Sequence, residues 1–122
     1  MRKKILVVED EQLIGLMLAE EIRRMGHEVV AVVTTGQEAI RAVQHDPPDA
    51  ILMDISLAGV LDGIETARTI KEGLDIPILF FTGYHDHQLL DRARAVRPAG
   101  IVDKLDSLEN IRAAISSLFQ TD

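Results

Sequence analysis

Residues 49–54 read Asp-Ala-Ile-Leu-Met-Asp, a short apolar run that stops abruptly on a carboxylate. Its four inner residues suit a strand buried on both faces, and Asp54 stands where that strand emerges into a crevice. A second run, Ile5 to Asp10, reads Ile-Leu-Val-Val-Glu-Asp and ends on two carboxylates. If the two runs lie parallel and adjacent, three carboxylates meet at one edge of one sheet.

The pattern on either side of these runs supports that arrangement. After the first strand, Leu13, Ile14, Leu16, Met17, Leu18, Ile22 and Met25 recur at helical spacing, and Gly26 sits where a helix ends on a left-handed residue. Val29 to Val33 reads as a second strand. Thr35 stands three residues before Glu38 as a capping box for a helix running to about His45, which Pro47 and Pro48 stop. Beyond Asp54, Asp62 and Glu65 cap a third helix that ends at Gly73. Ile76 to Thr82 is a fourth strand, with Pro77 at its start, where a missing N–H is tolerated. A helix over Asp86 to about Val96 follows, then a short strand from Gly100 to Asp103. A last helix is capped by Asp106 with Glu109. Five strands alternating with five helices predict an α/β domain over residues 1–122, a parallel sheet wrapped on both faces with right-handed crossovers.

Composition narrows the function classes. At 122 residues, a single domain buries roughly two thirds of the surface its unfolded chain exposes and needs no covalent staple. Cysteine is absent, which excludes disulfides, thiolate metal sites and a cysteine nucleophile, and allows an intracellular setting. The basic start Met-Arg-Lys-Lys is followed by an apolar run that breaks on Glu9-Asp10-Glu11, too short for an export signal, and no run reaches the length of a membrane span. With 20 acids against 13 bases, a net charge of −7 and 3% aromatics, neither a basic groove nor a base-stacking platform for nucleic acid is expected.

In open parallel sheets the functional crevice lies at the carboxyl ends of the strands. The polar residues there are Glu9 and Asp10, then Asp54, then Thr82, then Asp103 and Lys104, while strand two offers only Thr34 and Thr35. Adjacent strands lie about 4.8 Å apart, so carboxylates ending neighbouring strands stay ionised together only with a counter-charge. Mg²⁺, which takes a few carboxylates, waters and phosphate oxygens, suits that donor set, and Lys104 adds a second positive charge. Cation, carboxylate, hydroxyl and ammonium together form a cradle for a phosphoryl group. Taken singly, Asp54 reads equally as a turn former, Asp10 as a helix cap, Thr82 as a turn residue and Lys104 as a solvated lysine. Their joint placement at one sheet edge is what points to chemistry. His85 and His87, one residue apart at a helix start, read as surface residues.

With these residues in hand, the chain resembles the receiver domains of two-component response regulators over essentially its full length. The matching residues are Glu9-Asp10 after Ile-Leu-Val-Val, Asp54 within Leu-Met-Asp-Ile, Asp62-Gly63, Thr82-Gly83 after Ile-Leu-Phe-Phe, and Lys104 after Gly-Ile-Val-Asp. The resemblance implies the (βα)5 flavodoxin-like strand order 2-1-3-4-5, which is the general pattern for this family. It implies that Asp54 accepts a phosphoryl group from a sensor histidine kinase or a histidine phosphotransfer protein. Mg²⁺ would be held by Glu9, Asp10, Asp54 and the main-chain carbonyl of Ser56. Thr82 would be the hydroxyl that moves toward the phosphoryl group and Lys104 its charge partner. Ser56, Gly83 and Tyr84 occupy positions that tune phosphoryl access and lifetime. The resemblance also implies a cytoplasmic setting and a downstream protein target docking on helix 4, strand 5 and helix 5, and it leaves a homodimer open. Apart from its own phosphorylation and dephosphorylation, such a domain is not an enzyme.

Three departures concern the route by which the signal leaves. Ile101 stands where an aromatic commonly switches rotamer, Leu105 where proline commonly follows the lysine, and Leu57-Ala58-Gly59 where Met-Pro is common in a loop one residue shorter. Two rivals follow. One is a degenerate receiver that binds partners without phosphorylation. The other is a small Mg²⁺-dependent phosphohydrolase, which would need a second acid where Ser56 stands and a cap that is absent from the sequence.

Overall fold

A computed structural model describes residues 2–57, 59–83 and 86–119. In chain order the elements are β1 (Lys4–Val8), α1 (Gln12–Arg24), β2 (Glu28–Val33), α2 (Gly36–His45), β3 (Ala50–Asp54), α3 (Gly63–Gly73), β4 (Ile78–Thr82), α4 (His87–Ala95), β5 (Gly100–Asp103) and α5 (Leu108–Ser117). All strand pairs are parallel, in the order β2-β1-β3-β4-β5.

The continuous apolar runs are explained by helices on both faces. Leu6, Val8, Ile51, Met53, Ile78 and Phe80 point to one side, against Ala39 and Val43 of α2, Ile64, Ala67 and Ile70 of α3 and Ala93 of α4. Ile5, Val7, Leu52, Leu79 and Phe81 alternate with them and pack against Leu18 and Ile22 of α1 and Ile111 and Ile115 of α5. The three inner strands are thereby sealed, and their polar residues are confined to the ends.

Local chemistry sets where the helices begin. At α3, the Glu65 N–H donates to Asp62 Oδ1 at 2.8 Å and the Asp62 N–H donates to Glu65 Oε1 at 3.3 Å, a complete capping box. At α2, the Glu38 N–H donates to Thr35 Oγ1 at 3.2 Å, while the Glu38 carboxylate reaches back to the N–H of Thr34. Gly26, at φ +90, supplies the left-handed residue after α1. The expected cap of α5 is corrected: Ser107 Oγ, not Asp106, accepts the helix N–H of Asn110 at 3.1 Å. Asp106 lies one residue too early and binds the Ser107 N–H and the Asn110 side chain instead.

Helix α1 packs through only part of its apolar surface. Its apolar residues are too many for one face, and the structure buries Gly15, Leu18, Ala19 and Ile22 while exposing Leu13 (72%), Leu16 and Met17. Gly15 decides this: a Cβ there would lie 2.9 Å from a Val32 methyl, so α1 lies against β2 on its smallest residue. With positions 15, 18, 19 and 22 inward, positions 13, 16 and 17 must face outward.

Gly63 places α3 under the end of β3. Its N–H donates to the Ile55 carbonyl at 2.9 Å, and a Cβ on it would stand 1.9 Å from the Asp54 carbonyl oxygen. Gly63→Ala is therefore expected to destabilise by about 1–3 kcal/mol through overpacking against backbone. Gly73→Ala, where a Cβ meets nothing within 4 Å, should be neutral or stabilising by up to about 1 kcal/mol. Urea unfolding of the two variants checks this, and equal effects would contradict it.

Candidate functional site

Strand register brings the site together. Val8 pairs with Met53, so the residues that follow them, Glu9 and Asp54, leave neighbouring strands side by side. On the other flank Asp54 pairs with Phe81 and Thr82 with Asp103, which sets Thr82 and Lys104 at the same edge. The Lys104 N–H donates to the Thr82 carbonyl at 3.0 Å and continues the ladder past β5.

At the centre is the Lys104 ammonium. It lies 2.8 Å from Glu9 Oε1 and 3.0 Å from Asp54 Oδ2, and both carboxylates are almost wholly buried, at 1% and 2% exposure. Burial alone would depress the Lys104 pKa, but hydrogen bonding and attraction to Glu9 and Asp54 outweigh it and hold the ammonium above its ordinary range. The other Asp54 oxygen, Oδ1, accepts the Ser56 N–H at 3.0 Å, which fixes the carboxylate's rotation. Thr82 is buried beside them.

One ammonium does not balance these acids. Burial chiefly, then hydrogen bonding and repulsion from Asp54, push the Glu9 pKa from its ordinary 4.5 up to about 7, against the opposing pull of Lys104. Glu9 Oε1 faces the Lys104 ammonium, and no other donor among the described residues reaches it. Glu9, Asp10 and Asp54 each offer a carboxylate oxygen, all within 4.8 Å of one another. Three hard oxygen donors at that spacing, those of Glu9 and Asp54 buried and offset by a single ammonium, fit a divalent cation such as Mg²⁺.

The remaining expected residues fall as follows. Ser56 and Gly83 are exposed at the mouth, and a Cβ on Gly83 would meet nothing within 4 Å. Tyr84 and His85, like Ala58, lie outside the described residues. Asp86 caps α4 through the Gln88 N–H at 2.9 Å, with His87 as the first helical residue. Ile101 is half-buried and lines a cleft of about 580 Å³ with Thr82, Leu90, Arg94, Arg97 and Pro98, whereas Leu105 projects into solvent at 87% exposure. Arg92 of α4 reaches Asp62, the cap of α3, at 3.3 Å. No separate role for Glu11 follows from the sequence, yet its Oε1 lies 3.6 Å from Lys104 Nζ. The only signal for it was an acid directly after Glu9-Asp10.

A family model described as the response regulator receiver domain matches residues 5–116. The chain is 33% identical over 114 residues to the transcriptional regulatory protein PdtaR of Mycobacterium tuberculosis, covering 88% of this chain and 55% of that protein. It is 32% identical over 117 residues to the phyllosphere-induced regulator PhyR of Methylorubrum extorquens, covering 95% of this chain and 43% of that one. The chain thus spans about half the length of these curated relatives. Among solved structures, the signal receiver domain of a modulated diguanylate cyclase from Desulfovibrio desulfuricans is similar with a TM-score of 0.89 at 33% identity, covering 97% of this chain and 94% of that one. No helix among the described residues is long and apolar enough to cross a membrane.

The raised Glu9 pKa carries a pH signature. Between pH 4.5 and about 7 the folded protein retains a proton that the unfolded chain has released, so without divalent metal this group's contribution to stability falls as pH rises through that window. Chemical denaturation in EDTA across the window should show that decline for wild type and a flatter profile for Glu9→Gln. Added Mg²⁺ should offset the decline at its upper end. Identical profiles for the two proteins would contradict the assignment.

Proposed function

Since this chain belongs to the response regulator receiver domain family, we propose that Asp54 is its phosphoacceptor and that phosphorylation switches its protein contacts. The observation that carries this reading is the convergence of Glu9, Asp54 and Lys104 at one buried strand edge beside Thr82. In the transfer step an Asp54 carboxylate oxygen forms a bond to phosphorus while the P–N bond to a phosphohistidine breaks. The electron pair returns to the ring nitrogen, and an imidazole protonated on its other nitrogen leaves neutral. In the reverse half, water attacks phosphorus, the bond to Asp54 breaks, and inorganic phosphate departs with the carboxylate restored.

Glu9, Asp10, Asp54 and the Ser56 carbonyl are the residues proposed to hold Mg²⁺, which when bound neutralises phosphoryl oxygens. Lys104 leaves Asp54 Oδ2 to pair with a phosphoryl oxygen, and the Thr82 hydroxyl turns toward the same group. Ser56 and Gly83, exposed at the mouth, leave the approach to Asp54 open, and the position of Tyr84 two residues after Thr82 gives it the proposed role of slowing dephosphorylation. The domain acts on its own aspartate and on no separate metabolite. Its setting is cytoplasmic, in keeping with the absence of cysteine.

The histidine-bearing donor is placed on the exposed apolar side chains that flank the site, Leu13, Leu16 and Met17 of α1 with Leu105 and Leu108. The output partner is placed on α4, β5 and α5, where the cleft beside Ile101 abuts Thr82. Without an aromatic at position 101, displacement of Thr82 reaches that surface through the cleft walls and α4 itself. The degenerate reading has less support, because every acid needed for metal and phosphoryl is in place.

Incubation with acetyl phosphate and Mg²⁺ should add the mass of one phosphoryl group to wild type and none to Asp54→Asn. Lys104→Ala should still bind Mg²⁺ by calorimetry yet lose most of the phosphorylation-induced change in its amide spectrum. An unmodified wild type would favour the degenerate reading, and steady release of phosphate from diverse monoesters would favour the phosphohydrolase. Tyr84→Ala should shorten the phosphoryl lifetime several-fold, followed by loss of the added mass after donor removal. An unchanged decay rate would remove Tyr84 from this role.

A further inference from the structure

Glu11 occupies the N-cap position of α1, where a short Ser, Thr, Asp or Asn side chain ordinarily accepts a helix N–H. Its side chain makes no such hydrogen bond. The carboxylate turns instead toward the strand edge, with Oε1 3.6 Å from Lys104 Nζ, while the Glu11 N–H donates to Glu9 Oε2 at 3.2 Å. A local rule broken in this way, at the border of a charged crevice, marks a residue serving the crevice more than the helix. Exposure separates the three acids on Lys104: Glu9 and Asp54 are buried beneath it, whereas the Glu11 side chain is 64% exposed and stands on the solvent side. A phosphodonor reaching Asp54 therefore approaches past a fixed negative charge that neither caps its own helix nor sits among the buried acids.

We propose that Glu11 is a selectivity-determining residue at the mouth of the site, disfavouring phosphodonors in proportion to their negative charge. The inference rests on Asp54 being the phosphoacceptor. Small, doubly charged acyl phosphates are penalised most, and a donor whose phosphoryl group is carried on a basic nitrogen is penalised least. Across several ångströms of water-like dielectric, one unit charge acting on another changes a rate by about two- to threefold, and the effect fades as added salt screens it. Removing the Glu11 charge should therefore help a doubly charged donor by about that factor more than a singly charged one.

The test compares acetyl phosphate with phosphoramidate near neutral pH, in Mg²⁺ at low ionic strength, on wild type, Glu11→Gln and Glu11→Asp. With acetyl phosphate, the Asp54 oxygen bonds phosphorus, the P–O bond to the acetyl group breaks, and acetate leaves. With phosphoramidate, a monoanion whose nitrogen already carries the proton, the P–N bond breaks and ammonia leaves. The expected result is that Glu11→Gln raises the ratio of acetyl phosphate to phosphoramidate rates about two- to threefold, with the gain lost at high salt. Glu11→Asp, which keeps the charge, should keep a ratio near that of wild type. A purely structural role would alter both donors equally and leave the ratio unmoved. An unmoved ratio in Glu11→Gln at low salt overturns the proposal, as does an equal rise in Glu11→Asp. Failure of wild type to be modified by either donor instead overturns the assignment of Asp54 on which the proposal rests.

Discussion

The Lys104 ammonium, set between the buried carboxylates of Glu9 and Asp54, is the interaction on which the site depends. Two acids nearly excluded from water repel each other, and each is costly to bury alone. A single ammonium offsets part of that cost and leaves the rest visible as the raised Glu9 pKa. The site is in that sense under-neutralised, and its affinity for further positive charge comes from the same imbalance. Lys104 need not leave the site to act, because a phosphoryl group on Asp54 would bring new anionic oxygens to where the ammonium already lies.

The fold creates this imbalance through register. Parallel strands sealed on both faces tolerate polar side chains only at their ends, and the pairing of Val8 with Met53 and of Asp54 with Phe81 brings those ends level. A slip of one residue in either pair would bury an acid in the core. Gly63 lets the start of α3 come against the Asp54 carbonyl, and Ser56 fixes the Asp54 carboxylate, so Asp54 is held from its backbone and its side chain together. The helix with the fewest buried residues is α4, which buries Ala93 alone. It is tied to α3 by Arg92 on Asp62 and by the Lys71 ammonium on the Arg97 carbonyl. Polar ties of this kind are weak individually.

The sheet and its acidic edge were legible because the signals are local and repeated. Ile5 to Val8 and Ala50 to Met53 are unbroken apolar runs ended by acids, and only strands covered on both faces read that way. The capping box at Asp62 and Glu65 and the left-handed Gly26 were legible for the same reason. The outward face of α1 was not, since apolar residues occur on more than one side of that helix and Gly15 against Val32 decides which side packs. Choosing between Asp106 and Ser107 as a cap turned on a single residue of offset between two competent side chains. Glu11 on Lys104 is a contact between distant parts of the chain, announced only by its place directly after Glu9-Asp10.

Asp54, and no other carboxylate at this edge, is the proposed carrier of the phosphoryl group. The most direct measurement is reductive trapping: phosphorylate the protein, treat it with borohydride, and map the peptides by mass. An acyl phosphate is reduced to an alcohol whereas a free carboxylate is not, so homoserine is expected at position 54 alone. Reduction at Glu9 or Asp10, or at no residue of a protein that has gained the phosphoryl mass, would contradict it.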